Sequence, residues 1–459
     1  MANKGVRDYR PKLHFTTRKG WINDPNGLVY HDGIYHLFYQ HYPEDTKWGP
    51  MHWGHAISRE LINWEHLPIA LAPDELGTIF SGSAVYDREN TSGLAPLGKP
   101  PIVAMFTHDG ETQQQSIAYS TDGVNFTKYP GNPVIENPGI KDFRDPKVFY
   151  NPIWDSWSCV VVAGDRVHFY ASKNLIHWTK TGEFGPEGNL CPGIWECPDI
   201  FPLRAPNGEE VWVLAVSMTI PLEKGGPKTQ YFLGTFDGDT FICTKPFDDI
   251  EWIDPGFDNY AAMSYYGDEL KDRIIVGWGA NWQYAADTPT NEYRGMMTLA
   301  RKLSLVDTPK GLRLSSTPYA ATGEIMTPAT EIETEMDIDS EVFGLRIEGE
   351  GEFAVTLSND NGERLVFGVN GDDEIFMDRS MAGDNTFSDI FASDLFSKVI
   401  KKRLYTGTIT MEAIFDVSVL EVFADKGTFA CAQLVYPKKP YNKICVMGTG
   451  VSTHLLRVR

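Results

Sequence analysis

Three acidic side chains stand where a carboxylate is out of place. Asp24 lies in WINDPNG, Asp145 in FRDPKVF and Glu196 in IWECPDI, each beside proline, aromatic or glycine residues within otherwise apolar stretches. An uncompensated carboxylate is costly in such surroundings, which marks these three as site candidates rather than solvated surface charges. Several close carboxylates amid many aromatic rings, without a metal-ligand cluster or a glycine-rich phosphate loop, suit the cleavage of glycosidic bonds. A retaining glycosidase uses an ionised carboxylate as nucleophile and a protonated one, about 5 Å away, as acid and then base. Like charges held close raise the pKa of one of the group and keep a proton available near neutral pH. Tryptophan and tyrosine faces can stack on sugar rings, although most of the twelve tryptophans read as core residues.

An internal repeat indicates how the chain brings these residues together. SRELINW (58–64), STDGVNF (120–126), SKNLIHW (172–178) and, more loosely, TFDGDTF (235–241) share a hydroxyl residue, an acidic or amide position and an aromatic six residues on, at spacings of 62, 52 and 63. Between them run short β-branched and aromatic stretches such as HLFYQHY, PIVAMFT, DRVHFYA, EVWVLAVSM and DRIIVGWG, punctuated by Gly, Pro, Asn and Asp. An all-β unit of about sixty residues, repeated over some 300, implies about five units that cannot bury both sheet faces alone. Radial stacking into a five-bladed β-propeller resolves this; the alternative is a set of unrelated surface hairpins sharing a turn. Propellers place the first strand of each blade along a central channel. Asp24 precedes its repeat signature by 34 residues, Asp145 by 27 and Glu196 by 39, so the three converge on one pocket.

All twelve tryptophans fall between Trp21 and Trp282, leaving the last 177 residues with none. This places a domain boundary between about 305 and 325, with a propeller over 1–310 and a second all-β domain over 325–459. In the latter, Phe353, Val355 and Leu357 alternate onto one face, and Asn361-Gly362 and Asn370-Gly371 are hairpin-turn dipeptides, as expected of a β-sandwich.

Sixty-two acidic against forty-one basic residues give a formal charge of −21, which repels phosphate backbones and anionic lipid. Nucleic acid is excluded as a partner, and no apolar run approaches the roughly 20 residues of a membrane span. The six cysteines (159, 191, 197, 243, 431 and 445) form neither a CxxC pair nor a zinc pattern and read as reduced structural thiols. With the start MANKGVRDYRPKLHF lacking a signal-like apolar stretch, they point to the cytoplasm. His52 and His55, three apart in a predicted strand, face opposite ways and make no metal pair.

WINDPNG (21–27), FSGSAV (80–85), FRDP (143–146), WECPD (195–199) and GFDNYAA (256–262) resemble, in order, the signature set of glycoside hydrolase family 32, the β-fructosidases. GWGANWQYAADTPTNEYRGMMTLARKLSL (277–305) resembles that family's last blade and VSVLEVFADKG (417–427) its closing sandwich motif. Ile22 replaces a commoner Met, and Gly279-Ala280 a commoner Met-Ser, beside rather than within the catalytic motifs. The resemblance implies a five-bladed propeller followed by a β-sandwich, and retaining hydrolysis at C2 of a terminal β-fructofuranosyl unit without metal or cofactor. Carried over by position, Asp24 is the nucleophile, Glu196 the acid/base, and Asp145 a transition-state stabiliser that holds fructose hydroxyls. Arg144 fixes the local charge. Asn23, Gln40, Trp48, Phe80, Ser81 and Trp282 match fructose-lining positions; Asp258 and Tyr260 reach the next sugar or Glu196. Cys197 is a structural neighbour, not a nucleophile.

The function so implied is exo-hydrolysis of sucrose, fructo-oligosaccharides, inulin or levan, with fructoside substrates the expected partners. Two rivals share the scaffold: a fructosyltransferase, in which a sugar rather than water captures the intermediate, and a non-catalytic fructan-binding propeller. The sandwich is expected to give structural support, and the oligomeric state is open.

Overall fold

A computed structural model describes residues 7–185, 193–245 and 250–458; Cys191 lies outside them. The chain divides into two compact units, one comprising Gly20–Trp252 and Tyr260–Trp278, the other Met1–Lys19, Ile253–Asn259 and Gly279–Arg459.

The first unit consists of antiparallel blades. Blade I runs Gly20–His31, Ile34–Tyr42, His52–Ser58 and Glu65–Leu71; blade II runs Thr78–Tyr86, Ile102–Asp109, Gln113–Ser120 and Thr127–Lys128. Blade III follows with Phe143–Asn151, Ser156–Ala163, Val167–Ser172 and Thr179–Phe184, and blade IV with Trp195–Arg204, Glu210–Met218, Lys228–Phe236 and Phe241–Cys243. Blade V contributes Tyr260–Ser264 and Arg273–Trp278 to this unit. The five first strands neighbour one another in ring order, which defines a five-bladed β-propeller. Backbone hydrogen bonds from Tyr30 N–H to the Tyr266 carbonyl (2.8 Å) and from Tyr266 N–H to the Leu28 carbonyl (2.9 Å) close the ring between blades I and V. The core lies between adjacent blades. Val160, Val162 and Phe169 of blade III, for example, cluster with Trp195, Leu214 and Phe232 of blade IV.

The sequence repeat has one structural meaning: it is the turn between the third and fourth strands of blades I to IV. Ser58 Oγ accepts the Leu61 N–H (2.8 Å), and Ser120 Oγ accepts the Gly123 N–H (2.9 Å). The following Asp122, Asn174 and Asp237 each accept two further backbone N–H groups with one oxygen. These are side-chain mimics of backbone turns, which explains the hydroxyl and Asx positions. The fourth residue of each motif turns left-handed: Gly123 (φ 72°) and Gly238 (φ 104°) do so freely, whereas Leu61 (φ 70°) and Leu175 (φ 61°) are held there by burial at 4% and 1% exposure.

The second unit carries two six-stranded antiparallel sheets, as a β-sandwich does. One is ordered Met326–Glu331, Val451–Val458, Val342–Gly349, Ile409–Asp416, Val419–Ala424 and Phe429–Leu434; the other Glu335–Asp337, Lys443–Gly448, Phe353–Ser358, Arg364–Val369, Glu374–Met381 and Lys398–Lys402. Phe353, Val355 and Leu357 are buried along one face, as the alternation predicts. At the Asn361-Gly362 turn the glycine is left-handed (φ 76°); at Asn370-Gly371 it is Asp373 (φ 58°), and Asn370 Oδ1 accepts the Asp372 N–H instead.

Buried charges fasten the separate segments of this unit together. His14 donates to Asp416 Oδ2 (2.8 Å) and Glu421 Oε1 (3.1 Å), and the Asp416 carboxylate also accepts the Lys12, Leu13 and His14 N–H groups. Arg301 bridges Glu421 (2.8 Å) and Asp254 (3.1 Å), and Asp254 accepts the Ala432 N–H. Burial alone would push His14 down, but its hydrogen bonds to Asp416 and Glu421 outweigh this and raise it to about 9. A histidine raised in the folded state stabilises fully below its ordinary pKa near 6.5 and loses that contribution as pH rises through about 9. His14→Gln is therefore expected to lower Tm markedly at pH 6.5, by a loss of about 3 kcal/mol or more. The gap from the parent protein should narrow on titration toward pH 9.5, as read by thermal unfolding; a gap constant with pH would refute a charged His14.

Candidate active site

Each first strand of the propeller carries a bulge at the same level. Asn23 and Asp24 stand against Gln40, Phe80 and Ser81 against Thr107, Asp145 and Pro146 against Val161, Cys197 and Pro198 against Val216, and Ala261 and Ala262 against Gly277. Two residues facing one bend the strand and re-aim its side chains. Asp145 (φ 64°), Cys197 (φ 45°) and Ala261 (φ 51°) take left-handed backbone there, a strained conformation for non-glycine residues. Proline follows Asp24, Asp145 and Cys197 because a bulge is one of the few places in a sheet that does not need the missing N–H. Gly82 answers another constraint: a Cβ there would sit 2.0 Å from the Met105 carbonyl oxygen.

The bulges gather the three carboxylates around Cys197. Its thiol lies 3.3 Å from Asp24 Oδ2 and 3.7 Å from Asp145 Oδ2, and its backbone N–H donates to Asp145 Oδ2 (2.9 Å). Burial, then the adjacent carboxylates, pushes the thiol well above its ordinary pKa, so it stays an S–H donor. Asp24 also accepts from Ser81 Oγ (2.6 Å) at Oδ2 and from Asn23 Nδ2 (3.0 Å) at Oδ1; Trp21 Nε1 in turn donates to Asn23 Oδ1 (2.7 Å). Two oxygens with three donors give a fixed carboxylate.

Glu196 is held differently. Arg144 Nη2 reaches its Oε1 at 3.0 Å, and the Tyr260 hydroxyl donates to its Oε2. Arg144 is itself anchored by Asp142 (2.7 Å) and lies 3.8 Å from Asp145. Burial raises Glu196 above the usual carboxylate range, opposed by Arg144 and by the Tyr260 hydrogen bond. Burial drives Asp145 further, up to about 7, with Arg144 opposing and Asp24 and Glu196 reinforcing the rise. The Glu196 side chain retains 21% exposure and that of Asp145 5%, so Glu196 is the more open of the two.

The other expected residues fall into two groups. Gln40 stands opposite the blade I bulge and donates to Asn26 Oδ1 (2.8 Å), while half-exposed Trp48 packs edge-on to Phe80 at 6.2 Å. Asp258 is a correction. It belongs to the other unit, is fully buried, and has both oxygens engaged by Tyr284, Arg379 and the Leu434 N–H. A carboxylate so committed is structural, whereas Tyr260, two residues on, does reach Glu196. Trp282 also belongs to the other unit, partly buried. His55 is a core residue, stacked on Phe38 at 4.0 Å and paired with His36 at 3.1 Å. Sequence reading undervalued Cys197, whose S–H and N–H serve two carboxylates; Cys-Pro directly after Glu196, parallel to the two Asp-Pro pairs, is the signal that marks it.

A propeller joined to a sandwich, with paired carboxylates projecting from the propeller's inner strands, is the architecture of a class of glycoside hydrolases. The chain belongs to glycosyl hydrolase family 32: models of that family's N-terminal and C-terminal domains match residues 14–318 and 300–459. A levanase from Bacillus subtilis (strain 168) is 41% identical over 465 residues, spanning 94% of this chain and 67% of the relative. An extracellular exo-inulinase of Aspergillus niger is 35% identical over 511 residues, spanning 98% and 94%. Among solved structures, an exo-inulinase from Aspergillus awamori superposes with a TM-score of 0.91 at 33% identity, covering 99% of both chains. A fructofuranosidase from Schwanniomyces occidentalis in complex with fructose gives 0.89 at 27% identity, again over 99% of both.

The raised pKa of Asp145 makes the site a source of instability. A carboxyl raised from near 3.8 to about 7 stabilises at low pH and loses that contribution as pH rises through about 7. Asp145→Asn, which cannot ionise, is expected to raise Tm relative to the parent at pH 8 by more than at pH 5. An equal difference at both values would show that Asp145 is not strained by ionisation.

Proposed function

We propose that this protein is a retaining exo-β-fructosidase that releases terminal fructose from sucrose, fructo-oligosaccharides and fructans. The observation that carries the reading is the single hydrogen-bonded cluster formed by Asp24, Asp145 and Glu196 at three inner-strand bulges.

Asp24, fixed by Ser81, Asn23 and Cys197, is the nucleophile. Its oxygen attacks C2 of the terminal fructofuranosyl ring while Glu196 gives its proton to the departing glycosidic oxygen, forming a fructosyl–enzyme ester. Glu196, now ionised, takes a proton from water as that water's oxygen bonds to C2, and the ester bond to Asp24 breaks. Arg144 and Tyr260 steady Glu196 in its ionised phase, and burial favours its protonated phase. Glu196 acts as the acid because it is the more exposed carboxyl, where a leaving group can meet it. Asp145, deeper and pushed up to about 7, is suited to hold hydroxyls of the bound sugar. Trp48 and Phe80 offer an aromatic wall to the ring. The names of the relatives, levanase and exo-inulinase, support fructans as substrates.

Asp24→Asn should lower kcat by several orders of magnitude while fructose binding survives, measured by hydrolysis and by calorimetry in parallel. Glu196→Ala should slow sucrose far more than an activated aryl fructoside; equal losses would remove its acid role. The kcat/KM profile should be bell-shaped, its alkaline limb set by loss of the Glu196 proton. Since the Tyr260 hydrogen bond lowers the Glu196 pKa, Tyr260→Phe should move that limb to higher pH. A product time course should yield glucose and fructose in equal amounts from sucrose, and fructose as the first small product from inulin and levan. Early long oligosaccharides would instead indicate endo action, and glucose in large excess over fructose from concentrated sucrose would indicate transfer.

A further inference from the structure

The propeller unit holds a second built cavity that the proposed reaction does not use. It measures about 650 Å³ and lies at the C-terminal ends of three inner strands, one of which, Phe143–Asn151, also carries Asp145. Tyr86 is the last residue of Thr78–Tyr86, Tyr150 the penultimate of Phe143–Asn151, and Tyr266 follows Ser264 by two. Five residues of extended chain separate Asp145 from Tyr150, a span of about 16 Å. The cavity is therefore distinct from the carboxylate cluster.

Three of its aromatic rings pack against one another, with Trp157 buried. Trp157 meets Tyr150 edge-on at 5.4 Å and Tyr266 at 6.4 Å, and Tyr150 keeps 39% of its surface exposed. Around them stand Arg88, Lys173, Asp155 and Asp268, whose charges are largely paired off. Lys173 donates to the carbonyls of Trp154 and Asp155, Arg88 meets Asp268 at 3.5 Å, and Tyr150 donates to Asp155. The carboxylates along the wall outnumber these two cations, which disfavours an anion, and they form no cluster able to hold a metal among the described residues. An exposed tyrosine packed on further aromatic rings, with directional polar groups at the rim, describes a receptor for a neutral polyhydroxylated ring.

We propose that this cavity binds a segment of fructan chain, holding polymeric substrate to the enzyme away from the catalytic carboxylates. The choice of fructan rests on the fructosidase reading above. The test is affinity electrophoresis of the full chain in gels containing inulin, with saturating fructose present to occupy the catalytic site, and with Asp24→Asn as background to prevent digestion. Retardation by inulin should persist under fructose. Tyr150→Ala in that background should weaken it about threefold to tenfold, the worth of a stacked aromatic ring. In the otherwise unaltered enzyme, Tyr150→Ala should raise KM for inulin and leave kcat/KM for sucrose unchanged, which also shows that the variant folds. Retardation abolished by fructose, or indifferent to Tyr150→Ala, would overturn the proposal. If the parent enzyme failed to release fructose while fructose-insensitive, Tyr150-dependent retardation remained, the catalytic reading would fail and this site would stand.

Discussion

A bulge repeated around a ring is the constraint on which the site depends. In a regular strand, successive side chains alternate between faces, so Asn23 and Asp24, or Glu196 and Cys197, could not both serve one pocket. Placing two residues against one in each inner strand breaks that alternation at a single level of the propeller. Left-handed backbone at Asp145, Cys197 and Ala261 costs on the order of 1–3 kcal/mol each. The inter-blade core and the closure of blade V on blade I supply the rigidity that holds such strain.

Concentrating three carboxylates in a buried volume is unfavourable, and the surrounding groups show how the fold contends with it. Arg144 faces both Glu196 and Asp145, while Ser81, Asn23 and Cys197 direct their donors at Asp24. The division is chemically sensible. Hydrogen-bond donors favour the ionised form of a carboxylate, as the proposed nucleophile requires, whereas burial balanced against one cation favours the protonated form, as the proposed acid requires. The stability given up at Asp145 follows from burying an ionisable group beside two other carboxylates.

The sandwich-bearing unit shows the same physics used for structure rather than chemistry. His14, Asp254, Arg301, Asp416 and Glu421 are buried but mutually satisfied, and they join chain segments more than 400 residues apart in sequence, as the separations of His14 from Asp416 and Glu421 record. Asp258, Tyr284 and Arg379 form a second such group. Removing one member of a buried network leaves its partners uncompensated, which is why such groups specify how discontinuous segments assemble.

Much of this was legible from residue types and spacing alone. The repeat at Ser58, Ser120, Ser172 and Thr235 is a local turn device, so its spacing reported the length of one blade, and with it about five blades, before any fold was known. Asp24, Asp145 and Glu196 stood out because carboxylates beside proline, aromatic or glycine residues in apolar strands are anomalous. Local sequence could not reveal which polar groups face one another across the ring. Asp258 and Tyr260 share one motif, yet the first is consumed by Arg379 and Tyr284 and the second holds Glu196. Cys197 became a donor to two carboxylates only once a bulge turned both its thiol and its N–H toward the same point. Composition and periodicity are properties of the chain, and they determined the all-β class, the repeat and the anomalous carboxylates. Partner choice and proton affinity depend on distance and burial, which arise only when separate strands meet, so tertiary structure alone decided them.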